Sequence, residues 1–471
     1  MPPRNLLIVL THGLRTDAIS DADYWPLKTP HWVDLAERGF RSTAIAASPA
    51  DPASMIGLLT GLHARQHGAM VQGAAAPVCE GWPAALREEG YHLVGVGRVE
   101  LFERWLHESI PVQPVDDMTA AGCRYLDAMK QQGLLSIIID QRRQRQRMGL
   151  FEPDRLMLDD ADDVDGFIGA EACRALDRMP TDRPWALVVS FTGPANDLPP
   201  PTGYEAAAPS SRLEIGYGLP DFRQLDDQAE LDYPRIFLQR LEPHQLARIR
   251  ADYLGRVSQL DDVVGRLTAL MRGRDDAERS WIVTASDRGF LLGDQGLVGH
   301  RSFLTGAVET PITVTPPQRM TEYVAMDQLS TIDVAATIAH LGGCDPLPGT
   351  VGRSVAPLLA QEPLTHVLPG GVALSEFGSR LMIETERYRA IFSVIDQSLL
   401  GLWDLVADPN ESSSIAGSAV GRDLADSMRS RLAEALLGLR AAPPVTPHLP
   451  RHLPASVGGI SGGSGTAEAD Q

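Results

Sequence analysis

The chain has 471 residues, 44% of them hydrophobic, which is enough for a sizeable core and for more than one ordinary domain. Its formal net charge of -19 disfavours nucleic acid and anionic membranes as partners, and an anionic ligand would need a local cationic site. No stretch approaches the roughly 20 apolar residues of a membrane span, so no membrane partner is expected.

The opening MPPRNLLIVLTHG carries an apolar run over 5–10. It is too short for a signal-peptide core and has no small-residue cleavage site, so a cytoplasmic location is expected. NLLIVL is continuous in its hydrophobicity, as in a strand buried on both faces of a parallel sheet. TPHWVDLAERGF (29–40) has helical periodicity and ends at Gly39. After the helical WPAALREEG, YHLVGVG (91–97) is the next strand, and PWALVVSF (184–191) and SWIVTASD (280–287) repeat the pattern. Residues 243–273, PHQLARIRADYLGRVSQLDDVVGRLTALMRG, form one long amphipathic helix. This alternation predicts an α/β fold with a central, mainly parallel sheet flanked by helices. Ligands of such sheets collect beyond the carboxyl ends of the strands. Thr11, His12, Arg98, Thr192–Ala195, Asp287 and Arg288 all fall just past strand ends.

Residues 1–371 are read as the main domain, with the Pro-rich 196–235 as a long loop or lid. Residues 372–440 change character. VALSEFGSRLMIETERYRAIFSV alternates like a short antiparallel hairpin, and DLADSMRSRLAEALLGLR closes with a helix, so a small C-terminal subdomain is expected. The Pro-, Gly- and Ser-rich 441–471 reads as a flexible tail. The basic DQRRQRQR (140–147) and the acidic 152–165 read as solvated faces. Cys79, Cys123, Cys173 and Cys344 are far apart and form no CxxC pair, so they are read as reduced thiols.

Several blocks, in order from about residue 4 to 437, resemble the sulfatase family of the alkaline phosphatase superfamily. NLLIVLTHGLRTDAI resembles its first strand and metal-binding turn. SPADPASMIGLLTG, within a segment closing in His67-Gly68, resembles the nucleophile segment. LREEGYHLVGVGRVEL resembles the segment with G-K-W-H-L, and SFTGPANDLPPP the P-H-D-P loop. SDRGFLLGDQGLVGHRSFLTGAVETPI resembles the second metal segment, and LWDLVADPNESS the C-terminal L-Y-D-L-x-x-D-P-x-E. The resemblance implies the alkaline phosphatase-like fold. It also implies a chemistry in which a divalent cation polarises the ester oxygens. The nucleophile is a formylglycine or serine heading C/S-x-P-S-R at a helix start, where the helix N-terminus and the arginine stabilise negative charge.

This chain departs at nearly every such position. The nucleophile position holds Asp51, in Asp51-Pro52-Ala53-Ser54-Met55, and the motif's arginine is Met55. The metal-binding aspartate of the first turn is His12. The lysine and histidine of G-K-W-H are Arg98 and Glu100, and the histidine of P-H-D-P is Ala195. Asp287 is kept, but the ligand after it is Arg288, and the later lysine is His300. Asp51 cannot mature to formylglycine, and an arginine at a ligand position repels a metal.

The resulting expectation is a sulfatase-fold protein without formylglycine-dependent chemistry. It would be a non-catalytic homologue that takes a small anionic ligand or a protein partner and needs no cofactor. Asp51 would then be a helix N-cap or the ion-pair partner of Arg288, and His12 a neutral structural imidazole. His63 and His67 would pack the nucleophile helix, and Asp294 would sit in a turn. The alternative is a hydrolase or transferase with a site rebuilt around His12, Asp51, Glu100, Asp287 and His300. Its substrate would be an anionic sulfate, phosphate or carboxylate. Asp51, His300 and Glu100 would be catalytic, Arg98 and Arg288 would hold substrate, and His12 and Asp287 would hold one divalent metal ion.

Overall fold

The computed structural model describes residues 4–20, 25, 27–69, 80–112, 123–140, 157–195, 199–204, 243–295, 297–320, 323–324, 328–359 and 372–441. The tail over 442–471, the basic run over 141–147, Cys79 and most of the expected 196–235 loop lie outside these residues.

The four apolar runs become four strands of one sheet. They are β1 (Asn5–His12), β3 (His92–Gly97), β5 (Trp185–Pro194) and β6 (Ser280–Ser286). β1 pairs in parallel with β5 and β6, and β3 pairs in parallel with β5. The sheet is extended by β2 (Phe40–Ile45), β4 (Glu108–Pro111), β9 (Glu309–Thr315) and the short β10 (Tyr323–Val324) and β11 (Leu329–Ser330). The strand order is β10-β2-β9-β6-β1-β5-β3-β4, with β11 on β2. Only β9 runs antiparallel to its neighbours, β2 and β6.

Every residue of β1 is buried, because both faces of the sheet are covered. Leu7 and Val9 point into one core, with Trp32, Ile168, Val257 and Val263 from the helices Pro30–Glu37, Val164–Asp177 and Pro243–Arg272. Leu6, Ile8 and Leu10 point into the other, with Leu58, Leu86, Val334 and Ile338 from Ala53–Thr60, Trp82–Glu88 and Thr331–Gly342. Each fully buried leucine or valine contributes about 1.5–3 kcal/mol relative to exposure.

A polar knot fixes the long helix against the sheet. Arg256 on that helix pairs with Asp163 at 2.8 Å, and Asp163 caps the helix Val164–Asp177 by accepting from the amide of Asp165. Asp165 in turn accepts from the amide and hydroxyl of Thr192 at the end of β5, at 2.7 and 3.0 Å.

The C-terminal part is a four-stranded antiparallel sheet, β12 (Ala373–Phe377), β13 (Arg380–Glu384), β14 (Tyr388–Ser393) and β15 (Leu399–Asp404), followed by the helix Ala419–Ala441. Leu374, Leu381, Ile383 and Phe392 face that helix through Met428, Leu432 and Leu439. Ala373, Met382 and Ile391 face Ile45, Phe303 and Val308 of the larger part. At that junction the fully buried Arg389 meets Glu384 at 2.5 Å, pairs also with Glu411, and donates to the carbonyl of Phe303 at 2.9 Å. Among the described residues no helix is long and apolar enough to cross a membrane.

Candidate functional site

Four strand ends open onto one edge of the sheet. β1 and β6 run in register up to Thr11 and Ser286, so His12 and Asp287 leave the sheet side by side. The pairing of β1 with β5 slips between Leu10 and His12, where His12 comes opposite Pro194. Such an irregularity re-aims the side chain that follows it. Gly13 has a φ of +76°, and a Cβ there would stand 2.4 Å from that of Ala195. Its amide donates to Asp287 Oδ1 at 3.1 Å. Arg98 follows β3, with its amide on the carbonyl of Ser190.

Asp51 arrives from the opposite side. It lies in the turn before the helix Ala53–Thr60, whose eight residues are all buried and which ends at Gly61 in the left-handed region. Asp51 does not cap this helix, contrary to one sequence expectation. The capping position is Pro52, which offers no side-chain acceptor.

The other expectation for Asp51 holds. Its Oδ2 lies 3.3 Å from Arg288 Nη2 and 2.8 Å from His12 Nε2. The second imidazole nitrogen, Nδ1, lies 2.7 Å from Asp287 Oδ2, which also accepts from Arg288 Nη1 at 2.9 Å. The guanidinium runs alongside the ring, Nη1 at 3.1 Å from Nδ1 and Nη2 at 3.0 Å from Nε2. The imidazole expected as a structural group thus has, at each nitrogen, both a carboxylate oxygen and a guanidinium nitrogen at hydrogen-bonding distance.

Ser54, to which sequence reasoning gave no role, donates to Asp287 Oδ2 at 3.0 Å and approaches Asp51 Oδ1 at 3.4 Å. Its position three residues after Asp51, in the first turn of the helix, was the available signal.

Charge dominates this cluster. Burial opposes ionisation of Asp51, but Arg288 first and His12 next outweigh it and hold the carboxyl well below its ordinary range. Asp287 is lowered against its own burial, by Arg288 first and His12 next. Burial works against the charge of Arg98, yet Glu100, Asp51 and Asp287 push its pKa up. Burial and then the charge of Arg288 drive His300 well below the usual imidazole range.

All seven sequence-predicted residues therefore lie in one region. His12, Asp287 and Arg288 form its buried floor, at 6, 0 and 2% exposure. Asp51 keeps 29% of its side chain accessible and Glu100 34%, and Arg98 meets Glu100 at 3.5 Å beside them. The neighbouring histidines are different. His63 and His67 are buried beside the helix as packing groups, and burial lowers both to about 4. Asp294 ends the short strand β7 (Leu291–Asp294), where it accepts from the amide of Leu292 and pairs with Arg15 at 2.7 Å.

A family model described as Sulfatase matches residues 4–344. The chain belongs to the sulfatase family. This sulfatase-family chain is 25% identical over 273 residues to choline-sulfatase from Rhizobium meliloti, covering 55% of its own length and 52% of that protein's. It is 27% identical over 209 residues to the multifunctional alkaline phosphatase superfamily protein PehA from Trinickia caryophylli, covering 39 and 40%. The chain thus spans about half or less of the length of these curated relatives. The phosphonate monoester hydrolase SpPMH from Silicibacter pomeroyi superposes with a TM-score of 0.76 at 18% identity, covering 92% of this chain and 95% of that one. At that identity the likeness shows the fold.

The resemblance drawn from the sequence implies a divalent cation at this edge of the sheet. His12, Asp51 and Asp287 each bring one ligand atom within 4.8 Å of the others. The full donor set does not fit such an ion. Both imidazole nitrogens are already at hydrogen-bonding distance from the two carboxylates. The guanidinium of Arg288 is bonded to both carboxylates as well. At about 4 Å two unit charges repel by roughly 4 kcal/mol even at an effective dielectric of 20, and a divalent ion doubles that.

Proposed function

We propose that this sulfatase-family protein binds an anionic ligand at the carboxyl edge of its sheet and does not hydrolyse sulfate esters through formylglycine. The observation that supports this reading is the state of Asp51. A carboxylate stands where the resemblance puts the nucleophile, and it is held between Arg288 and His12 at 3.3 and 2.8 Å. The guanidinium stabilises the anion, and both contacts lower its nucleophilicity. Hydrolysis by this route would also need a cation on the ester oxygens, and Arg288 is already engaged with Asp51 and Asp287.

Arg98 is the ligand-facing group of this reading. Arg98 stays charged beside the partly accessible Asp51 and Glu100. A sulfate, phosphate or carboxylate group suits such a forked donor.

A second reading, a hydrolase or transferase with rebuilt chemistry, draws support from the 29% of the Asp51 side chain that remains accessible. A carboxylate is a competent nucleophile toward phosphoryl groups when reachable. In that reading Asp51 attacks, Glu100 and His300 handle protons, and Arg98 holds the anion.

The test pairs turnover with binding. Wild-type protein is assayed with aryl sulfate, aryl phosphate and aryl phosphonate esters, and calorimetric titrations with sulfate, phosphate and acetate compare it with Arg98→Met. The first reading expects no turnover above the uncatalysed rate and weaker anion binding by Arg98→Met. Turnover that disappears in a still-folded Asp51→Ala variant would establish the second reading instead.

A further inference from the structure

We propose that the Arg288 guanidinium, with the His12 imidazole beside it, takes the place of a divalent metal ion as a built-in bridge between Asp51 and Asp287, so that the segment carrying Asp51 is held in place by the chain itself. The inference deepens the proposed function and rests on it for the absence of ester hydrolysis.

The argument starts from two carboxylates that would otherwise repel. Asp51 and Asp287 both turn an oxygen toward the same imidazole, at 2.8 and 2.7 Å on opposite nitrogens. Both also bond one guanidinium, Nη2 on Asp51 and Nη1 on Asp287. The two carboxylates are thereby bridged by one guanidinium and one imidazole, where a divalent ion would otherwise bridge them. The geometry differs in a useful way. A metal gathers oxygens around a point, whereas this pair is an extended plate with fixed donors at both ends.

The plate is also immobile. The side chain of Arg288 is 2% exposed and lies two residues past the end of β6, and an arginine keeps its charge at any ordinary pH. His12 is 6% exposed and ends β1. Ser54 adds a bond from inside the helix Ala53–Thr60 to Asp287. The floor of the site therefore joins β1, β6 and the Asp51 segment through direct protein contacts. A metal-held site loses such a junction to a chelator, and this one does not.

Two exchanges should undo the replacement. His12→Asp and Arg288→Asn remove the imidazole and the guanidinium and supply the hard oxygen donors that calcium and manganese prefer. The full chain is treated with chelator, dialysed, and titrated calorimetrically with calcium chloride and manganese chloride, with melting curves at each stage. Wild type is expected to show no saturable binding and the same Tm with chelator, calcium or manganese. The double variant is expected to bind about one ion per chain and to gain Tm on binding. About one ion per wild-type chain with a raised Tm would overturn the inference, and so would a folded double variant that binds neither ion.

Single variants decide the matter if the double variant lacks a cooperative melt. Arg288→Lys keeps a positive charge and is expected to melt near wild type, whereas Arg288→Met is expected to melt lower. Equal melting of wild type and Arg288→Met would overturn the inference. These readouts separate it from the functional reading. Ester turnover by metal-free wild type would defeat the proposed function and leave the built-in bridge standing. A wild-type metal ion would defeat the built-in bridge whatever the ester assays give.

Discussion

Nε2 of His12 stands 2.8 Å from Oδ2 of Asp51, and the other face of the same ring is closed by Asp287 at 2.7 Å. One imidazole thus links the end of β1 to the turn that precedes the helix Ala53–Thr60. The two carboxylates are not equivalent, because the side chain of Asp287 is fully buried and that of Asp51 is 29% exposed. Breaking a buried charge pair by removing one partner costs about 3–5 kcal/mol, so Asp287→Ala is expected to lose that much. Solvent partly screens Asp51, and Asp51→Ala, which leaves buried donors without their acceptor, is expected to lose about 1–3 kcal/mol. Urea denaturation of the two variants checks the order. A larger loss for Asp51→Ala would show that the cluster is anchored from the helix side instead of the sheet side.

Acid should weaken the fold through His63 before it reaches these aspartates. Burial first, and Arg65 second, lower His63 from 6.5 to about 4. The neutral ring is favoured in the folded protein, so the unfolded chain binds more protons between these values. Its stabilising contribution is complete above about pH 6.5 and is lost as pH falls toward 4. Asp51 and Asp287, lowered in the fold, keep their contribution above the ordinary aspartate range and lose it only at lower pH. Asp165 and Asp261 shift the other way, raised mainly by burial to about 6, and offset part of the decline. The comparison with His63→Leu isolates the histidine. Denaturation at pH 7 and pH 4.5 is expected to show a smaller acid loss for the variant, and identical losses would remove His63 from the account.

How much of this was written in the sequence differs from element to element. The runs at 5–10, 91–97, 184–191 and 280–287 were legible because strands covered on both faces need continuous apolar residues, and all four share one sheet. The helix Pro243–Arg272 was legible from its periodicity. β15 was not read as a strand, because Gly401 interrupts its pattern. The ring of Trp403 lies where a side chain at Gly401 would go, 2.1 Å from its Cβ position. The hairpin of β7 with β8 (Leu297–Gly299) is short and rich in glycine, and left no periodic signal. Within the site, residue types could be listed from the motifs, and Arg288 could be matched with Asp51 by charge. The double role of His12 could not, since it depends on the slip between β1 and β5. No local pattern encodes that slip.

Alkali should act at the junction between the two sheets. Burial first, then Glu384, raise Glu309 from 4.5 to about 8, with Arg389 opposing and Glu411 and Asp17 adding to the rise. The folded protein therefore holds a proton on Glu309 that the unfolded chain releases. The stability this provides is present below about pH 4.5 and is lost as pH rises toward 8. Glu309→Gln keeps the neutral shape at all pH values. Its stability relative to wild type is expected to increase from pH 6 to pH 9 in urea titrations. A constant difference across that range would mean that Glu309 is ionised throughout.

Placing cysteine at position 51 gives the sharpest test of whether a nucleophile alone would make this site a sulfatase site. Asp51→Cys, coexpressed with a formylglycine-generating enzyme, supplies the nucleophile precursor of the family resemblance. The rest of the site would still be that of this chain. Arg288 would still point a guanidinium at Asp287 from 2.9 Å, and Met55 would still stand in place of the motif's arginine. The variant would also leave His12 Nε2 without its carboxylate, so some loss of stability accompanies the change. The expected result is maturation of the cysteine by mass spectrometry without turnover of aryl sulfates. Turnover by the matured variant would mean that a nucleophile alone completes the site, and that Arg288 does not exclude the cation on which such chemistry depends.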